Sequence, residues 1–273
     1  MAVNISKLES TARRIRGQIV EMSYKSRAAH LGSSLSCVDI LVALYWGTLA
    51  ITTENPSAPD RDRFILSKGH AASALFATLA FKGFFPKRRL DTFAMPGSYL
   101  EEHPGPGCVP GVEAATGSLG HGLSLGIGMA LAGRIQNLSF RVFALLSDGE
   151  CNEGSVWESA MFAAGQGLEN VVAIIDFNKW QATGRSCETM ALEPLGEKWK
   201  SFGWSVFEID GHDIKALLDV VRRCPDGSGK PVAIVANTVK GKGVSFMEDD
   251  NNWHYRIPTE QEVLAARKEL GLI

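Results

Sequence analysis

An Asp-Gly pair and an asparagine 30 residues further on are the most specific candidates for chemistry in this sequence. Asp148-Gly149 follows the apolar run 142–146, and Asn178 follows the apolar run 171–175. If both runs are parallel strands, the carboxylate and the amide oxygen leave the ligand-binding edge of one sheet and can converge on a hard cation. Gly149 lets the backbone approach a phosphate closely. The pattern predicts a magnesium site next to a diphosphate, whereas the competing interpretation is an ordinary turn and an unrelated loop residue.

Four continuous apolar runs predict the strands that position these residues. Continuous runs suit strands that are covered on both faces, and helix-like segments fill the intervals between the runs. The sequence therefore predicts an α/β fold in three layers, α/β/α, with a mostly parallel sheet. The predicted strands are Val142 to Leu146, Val171 to Ile175, Val206 to Ile209 and Val232 to Val235.

Helices and one long loop complete the predicted organisation. Apolar residues spaced three and four apart from Ile5 to Met22 predict an amphipathic first helix. A second helix is predicted from Val38 to about Trp46, opened by Ser36 with Asp39 three residues on, and a last one from Thr259 to Leu270. The Gly- and Pro-rich stretch 103–128 predicts a long functional loop that leads into a Gly-rich helix.

Composition excludes several classes of protein. The 273 residues carry 28 basic and 30 acidic side chains, and a net charge of −2 disfavours a nucleic-acid binder. The five cysteines are odd in number and lack C-x-x-C spacing, so we expect neither disulfides nor zinc, but reduced thiols in the cytoplasm. No run approaches the ~18 apolar residues of a membrane span, so no membrane partner is expected.

Six segments together resemble the N-terminal, diphosphate-binding part of transketolase. They occur in the order of that family and with fitting spacing, from about residue 10 to the end of the chain. Asp-Gly followed some 25 to 30 residues later by Asn is the family's thiamine diphosphate motif. The segments are AHLGS at 29–33, DRDRFILSKGH at 60–70, GVEAATGSLG at 111–120, SDGE at 147–150, DGHD at 210–213 and KGKG at 240–243.

The resemblance implies a role for each matching residue. It implies thiamine diphosphate and Mg²⁺ as cofactors, with Ca²⁺ or Mn²⁺ able to substitute for the metal. The implied metal ligands are the side chains of Asp148 and Asn178 and the main-chain carbonyl of Trp180. The implied catalytic residues, which face sugar or cofactor, are His30, His103 and His254. The implied cofactor-binding residues are Ser33, His70, Gly117, Ser118, Leu119, Gly149, Asn178, Lys240 and His254.

The resemblance also implies a missing half. Transketolases activate the cofactor with a glutamate on a pyrimidine-binding domain, which follows the present region, and this chain stops at Ile273. We therefore expect residues 1–273 to form a single diphosphate- and metal-binding domain, the thiamine diphosphate-binding PP-domain fold. A transketolase C-terminal subunit would supply the pyrimidine-binding domain, the glutamate and most sugar contacts. The expected assembly is a heterotetramer, with contacts around Glu153 to Ala164.

The expected activity is transfer of a two-carbon ketol unit from a ketose, taken to be a phosphate, to an aldose. Two alternatives stay open: the thiamine-binding subunit of a 2-oxoacid dehydrogenase, which shares the metal ligands, and a non-catalytic cofactor-binding homologue with a regulatory role. A nucleotide-binding enzyme fails on spacing, because Gly126-Ile127-Gly128 lacks the preceding strand and the third glycine.

A few residues have two interpretations at this point. Glu153 and Glu158 match acidic positions at the family's subunit contact, but Ser155 and Glu158 also have capping-box spacing. His212 is interpreted as a turn or capping residue, and His121 receives no role. Lys68 and Lys240 would ordinarily be surface lysines, and the segment match moves Lys240, and less firmly Lys68, towards phosphate binding.

Overall fold

A five-stranded parallel sheet forms the centre of the computed structural model, which describes residues 3–273. Its strands are β1 (Arg63–Leu66), β2 (Val142–Ser147), β3 (Val171–Phe177), β4 (Ser205–Asp210) and β5 (Val232–Asn237). The strand order is β1-β2-β3-β5-β4, and every neighbouring pair is parallel. The predicted α/β fold with a parallel sheet is confirmed.

Ten helices are described around the sheet. They are α1 (Ile5–Ser26), α2 (Leu31–Ser36), α3 (Val38–Gly47), α4 (Ala72–Lys82), α5 (Gly122–Ile135), α6 (Gly154–Gly165), α7 (Ser186–Thr189), α8 (Leu195–Ser201), α9 (Ile214–Val221) and α10 (Glu260–Glu269). Short 3₁₀ turns occupy Gly69–Ala71, Lys87–Thr92, Gly149–Asn152 and Asn251–His254. Within the described part of the chain, no helix combines the length and the apolar character needed to cross a bilayer.

Two apolar cores lie on opposite faces of the sheet, because successive strand residues point to opposite sides. Phe143 and Leu145 of β2 pack into the core formed with α1, α3, α4 and α9. Ala144 and Leu146 pack into the core formed with α5, α6 and α8. The three predicted layers follow from this alternation.

The four predicted strands are present, each within two residues of its predicted bounds, and a fifth strand went unpredicted. Strand β1 has only three consecutive apolar residues, too short a run to stand out, although it lies inside the 60–70 motif. The capping interaction predicted between Ser36 and Asp39 at the start of α3 is wrong. Cys37 precedes the helix without a side-chain capping bond, Ser36 donates to Asp176 (2.6 Å), and Asp39 binds Arg16.

Candidate active site

The first feature of the site is the pair Asp148 and Asn178 at the carboxyl edge of the sheet. Strands β2 and β3 are neighbours whose register pairs Ser147 with Asp176, so the residues that follow them leave the sheet side by side. The Asp148 carboxylate is fully buried and accepts from the Lys179 amide and the Ser186 hydroxyl, both at 2.8 Å. The sheet therefore delivers one carboxylate and one amide to the same place.

Burial gives the Asp148 carboxylate unusual chemistry. Loss of solvent, with a smaller contribution from the nearby Asp176 charge, raises the pKa of Asp148 to about 6. A cation at this carboxylate would favour its ionised form. The Asn178 amide oxygen accepts from the Trp180 main-chain N–H at 3.1 Å, which folds the backbone of Trp180 towards the site. A carboxylate and an amide oxygen thus lie beside the main chain of Trp180, which lines the same cavity as Asn178.

Four histidine rings form a contiguous cluster. The centroid of the His30 ring lies 5.5 Å from His70, 5.9 Å from His103 and 5.0 Å from His254. His30 has left-handed backbone conformation (φ 66°), and its N–H donates to the His254 carbonyl at 2.7 Å, which fixes the ring in the cluster. The sequence predicted roles for each of the four, and the fold brings all of them together.

Burial keeps three of these rings neutral. It lowers the pKa of His30, lowers that of His70 well below its usual value, and lowers that of His254 to about 3. Lys68 contributes to the shift at His70 and Lys240 to the shift at His254, since a nearby cation disfavours the imidazolium. Neutral imidazoles can each donate one hydrogen bond and accept another.

Lys240 lies directly behind His254. Its ammonium donates to the Asn251 amide oxygen at 2.7 Å and lies 3.1 Å from His254 Nδ1. Since the ammonium can only donate, Nδ1 must accept, and we assign the ring proton to Nε2. Burial, assisted by the Lys68 charge, lowers the pKa of Lys240 to about 8. Two of the predicted phosphate contacts, Lys240 and His254, therefore form one hydrogen-bonded unit.

Lys68 lies deeper than the sequence suggested. Its ammonium forms an ion pair with Asp176 and donates to the Ser33 carbonyl at 2.9 Å, and neither charged side chain is exposed. Burial opposes both charges, but the attraction between the two holds the pKa of Lys68 above its usual value and that of Asp176 below. Lys68 thus supports the wall of the site from within the core.

These residues surround a cavity of about 360 Å³. Ten of the sequence-predicted site residues line it: His30, Ser33, His70, His103, Gly117, Leu119, Gly149, Asn178, Trp180 and His254. Asp148 and Lys240 are fully buried in its surroundings. Ser118 instead lines a neighbouring cavity of about 550 Å³ together with His121, so the backbone contact predicted for Ser118 stays a prediction.

Two glycines on the cavity wall are required by close packing. Gly117 has φ +141°, and a Cβ there would lie 2.9 Å from His103 Cδ2. A Cβ on Gly149 would lie 3.0 Å from Gln181 Cγ. Side chains at these positions would press on neighbours that line the cavity, so the glycines keep the wall thin at both points.

Sequence reasoning missed several residues of the site. Gln181 lines the cavity, and its buried Nε2 has no hydrogen-bond partner among residues 3–273. The only sequence feature that could have indicated Gln181 is its position shortly after Asn178. Glu150 is buried and accepts from the Gly120 amide at 2.8 Å and from Ser67, which joins three motif segments. Asp176 could have been found as a lone acidic residue in an apolar strand.

A surface latch joins the two loops beside the cavity. The Arg185 guanidinium stacks on Trp180 with 3.7 Å to the ring centroid. Asp249 accepts from Trp180 Nε1 at 2.8 Å and from both Arg185 Nη atoms, at 2.7 and 2.6 Å. The Trp180 indole is thus used to tie the loop after β3 to the loop that carries Lys240.

The two interpretations of Glu158 are partly resolved. Helix α6 begins after Glu153 without a side-chain cap, and the Ser155 hydroxyl donates to the Gly120 carbonyl at 2.9 Å. The capping-box interpretation is therefore wrong. Glu158 is exposed, and Glu153 lines the cavity entrance. Thr259 and Glu262, by contrast, form a capping box at the start of α10.

Known proteins share the sequence pattern of this chain over nearly its whole length. Residues 8–273 match the family described as transketolase, thiamine diphosphate binding domain. The chain is 40% identical to one of the subunits of an apulose-4-phosphate transketolase from Phocaeicola vulgatus, over 98% of this chain and 95% of that protein. It is 43% identical to a 6-deoxy-6-sulfo-D-fructose transketolase subunit from a Clostridium species, over 96% of each.

The fold is similar to solved transketolases. Transketolase from Campylobacter jejuni superposes with a TM-score of 0.92 at 28% identity, over 98% of this chain and 43% of that one. Transketolase from Leishmania mexicana gives a TM-score of 0.91 at 25% identity, over 99% and 42%. This chain therefore spans less than half the length of these enzymes.

Proposed function

Since the chain belongs to the transketolase family of thiamine diphosphate-binding domains, we propose that it is the diphosphate- and metal-binding subunit of a two-chain transketolase. The complex would transfer a two-carbon ketol unit from a ketose phosphate to an aldose. The main observation in support of this proposal is that the ends of two neighbouring strands bring Asp148 and Asn178 to a cavity that four histidines surround.

The residues present fit thiamine diphosphate. The cavity size lies within the ~300–1,000 Å³ of ordinary ligand pockets. The buried amide of Gln181 lacks a partner, and a phosphate oxygen would satisfy it. His70, His254 and Lys240 would hold the diphosphate, Ser33 would touch the cofactor, and residues 117–119 would line its pyrimidine side.

The donor set also fits a hard divalent ion. Asp148, Asn178 and the Trp180 carbonyl offer oxygen only, and Mg²⁺ commonly combines few protein oxygens with phosphate oxygens. Residues 3–273 contain no cluster of three or more His, Cys, Asp or Glu placed to hold a metal. That agrees with a site in which one carboxylate is joined by neutral oxygens. We propose Mg²⁺, with Ca²⁺ or Mn²⁺ as substitutes.

The histidines would handle protons and hydroxyls. Carbanion chemistry at the ketol carbon is what thiamine diphosphate supplies when bound. His30 and His103 would orient the sugar hydroxyls, and the neutral ring of His30 would act as a base toward them. His254 would donate through Nε2 because Lys240 occupies its Nδ1. The pKa of His30, lowered by burial, keeps it ready to accept a proton at neutral pH.

A partner subunit would complete the site. We propose that it carries the pyrimidine-binding domain and the activating glutamate, and that two such pairs form a heterotetramer. Large apolar side chains are exposed on the candidate contact face, with Leu125 on α5 and Met161 and Phe162 on α6 at 42–54% exposure. This face includes the segment around Glu153 to Ala164 predicted from sequence. The five free thiols support a reducing, cytoplasmic setting.

The test is reconstitution. The purified chain should bind thiamine diphosphate with Mg²⁺ in calorimetry but should catalyse no ketol transfer until the partner subunit is added. A panel of ketose phosphates with an aldose acceptor then identifies the substrates. Robust turnover by this chain alone would refute the two-chain proposal. Pyruvate-dependent reduction of an artificial electron acceptor by the complex would favour the dehydrogenase alternative, and absence of cofactor binding would refute the proposed function.

A further inference from the structure

We propose that His212 is a positioning residue that holds the turn containing Lys240 in the geometry required for binding the diphosphate. The inference rests on the proposed function of Lys240. His212 lies in the turn after β4, outside the cavity, and its ring joins two buried parts of the molecule. Nδ1 is 2.8 Å from the Asp39 carboxylate, and Nε2 accepts from the Val239 main-chain N–H at 2.9 Å.

A buried carboxylate fixes the orientation of the imidazole. Asp39 on α3 and Arg16 on α1 are each 5% exposed. The guanidinium donates to both carboxylate oxygens, Nη1 to Oδ1 at 3.1 Å and Nη2 to Oδ2 at 2.6 Å. Although burial alone would raise the pKa of Asp39, Arg16 and the bond to His212 hold it below its usual value. Asp39 is therefore ionised, and its carboxylate can only accept hydrogen bonds.

The charge of Asp39 decides which nitrogen of His212 carries the proton. An anionic acceptor at Nδ1 places the hydrogen there, which leaves Nε2 as an acceptor for the main-chain N–H of Val239. Carboxylates orient metal-binding histidines in the same way, by fixing the tautomer and the plane of the ring. Here the oriented ring binds a backbone amide instead of a metal, and that amide belongs to the residue preceding Lys240.

Hydrogen bonds from several elements hold the turn around Lys240. His212 binds it at Val239, and the Gly241 N–H donates to the Gly32 carbonyl at 3.0 Å. Lys240 itself packs on Gly32. A Cβ added at Gly32 would lie 3.0 Å from the Cγ atom of Lys240. Loss of the His212 bond would free the turn at Val239, the residue next to Lys240, while the bonds of Gly241 to Gly32 and of the Asp249 N–H to the Lys240 carbonyl (2.8 Å) would remain. The Lys240 ammonium, 2.7 Å from Asn251, would then have more freedom relative to the cavity.

The two bonds of the ring can be separated by substitution. In His212→Gln the side-chain oxygen can reach the position of Nε2 and accept from Val239. In His212→Asn the shorter amide can reach only the position of Nδ1, so the bond to Asp39 is kept and the bond to Val239 is lost. His212→Leu removes both. If His212 acts through the Lys240 turn, anion affinity should follow the bond to Val239.

The experiment measures the Kd of the full-length chain for Mg²⁺ with inorganic pyrophosphate, and with thiamine diphosphate, by calorimetry. We expect His212→Asn and His212→Leu to raise both Kd values about tenfold, the loss expected for one hydrogen bond. His212→Gln should stay within about threefold of the wild-type chain. Thermal melting of each variant records any general destabilisation.

A double-mutant cycle with Lys240→Met separates positioning from general stability. Coupling is expected, so that His212→Asn has little further effect on pyrophosphate affinity once the ammonium is absent. Wild-type affinity in His212→Asn, or additive effects in the cycle, would overturn the positioning role alone. Failure of the wild-type chain to bind either ligand would overturn the proposed function, and this inference with it.

Discussion

The Lys68 ammonium and the Asp176 carboxylate form an ion pair from which solvent is completely excluded. Asp176 lies near the carboxyl end of β3, two residues before Asn178. Lys68 also donates to the Ser33 carbonyl, and Asp176 accepts from Ser36 and Thr238. The wall of the cavity therefore depends on two opposite charges that compensate each other in the core.

Removing one partner of this pair should be costly. Lys68→Met leaves the Asp176 charge buried and unpaired, so we expect a loss of ~3–5 kcal/mol in the free energy of unfolding. The double variant Lys68→Met with Asp176→Asn should recover much of that loss. Denaturant unfolding measures both. The exposed pair Lys25 and Asp91 supplies the control, since Lys25→Met should cost less than ~1 kcal/mol. Equal costs for Lys68→Met and Lys25→Met would contradict the prediction.

Asp148→Asn should abolish metal-dependent binding of thiamine diphosphate. The only carboxylate of the proposed donor set is lost, so affinity should fall by more than the ~10–100-fold that loss of an outer-shell partner costs. Calorimetry with and without Mg²⁺ measures the effect. Asp226→Asn is the matched control, because Asp226 binds Ser205 at the opposite, amino edge of the sheet. An unchanged metal dependence in Asp148→Asn would place the metal elsewhere.

His103→Ala should separate turnover from cofactor binding. His103 is proposed to face the sugar and packs on Gly117, so its loss should slow turnover of the proposed two-chain complex by ~10²-fold or more. The Kd for thiamine diphosphate should stay nearly unchanged. Steady-state kinetics and calorimetry on the same preparation give both numbers. A comparable loss of cofactor affinity would show that His103 belongs to the cofactor side instead.

The neutral histidines predict a loss of stability in acid. The pKa of His254 is lowered to about 3 and that of His70 lies well below its usual value, whereas both are near 6.5 in an unfolded chain. Below pH 6.5 the unfolded state binds protons that the folded state does not, so stability falls as pH falls. Each histidine contributes up to ~1.4 kcal/mol per pH unit. The contribution is complete above pH 6.5.

The measurement is the free energy of unfolding between pH 7 and pH 5. His254→Gln should show a shallower decline than the wild-type chain, because one proton-linked group has been removed. His121→Gln, at an exposed position, serves as the control. Identical slopes for the wild-type chain and His254→Gln would show that His254 is not held neutral in the fold.

The latch at Asp249 should affect ligand binding more than stability. Asp249→Ala releases both Arg185 and the Trp180 indole, so the Trp180 main chain keeps its bond to Asn178 but loses the side-chain tie to the loop that carries Lys240. The ion pair is largely exposed, and its loss should cost under ~1 kcal/mol of unfolding free energy. Affinity for Mg²⁺ with pyrophosphate should nevertheless fall several-fold. Lys200→Met, which breaks the exposed pair with Glu197, should change neither quantity. If Asp249→Ala leaves the affinity for Mg²⁺ with pyrophosphate unaltered, the latch has no role in ligand binding.

Much of the framework could be predicted because its signals are local. The continuous apolar runs of β2 and β3 predict buried strands, and strand direction then places Asp148 and Asn178 at one edge. The capping box at Thr259 and Glu262 is likewise a local pattern. Strand β1 was missed because only three apolar residues follow one another there, so its position depends on pairing with β2 rather than on its own sequence.

The polar network behind the cavity could not be predicted, because its partners are distant in sequence. Lys68 and Asp176 are 108 residues apart, and Asp39 and His212 are 173 residues apart. Asp39 has the spacing of a helix cap and His212 that of a turn, yet each is used in a tertiary contact. Local sequence preferences predict the helix and the turn at these positions. Tertiary packing decides which groups the side chains bind.

The direct connection of β2 and β3 to the proposed metal ligands has a consequence for heat resistance. Every residue of both strands is buried, and such strands open only when the whole domain unfolds. Asp148 and Asn178 follow these strands directly, without an intervening flexible segment. The capacity to hold a divalent ion should thus persist on warming until cooperative melting begins, and it should vanish together with the core.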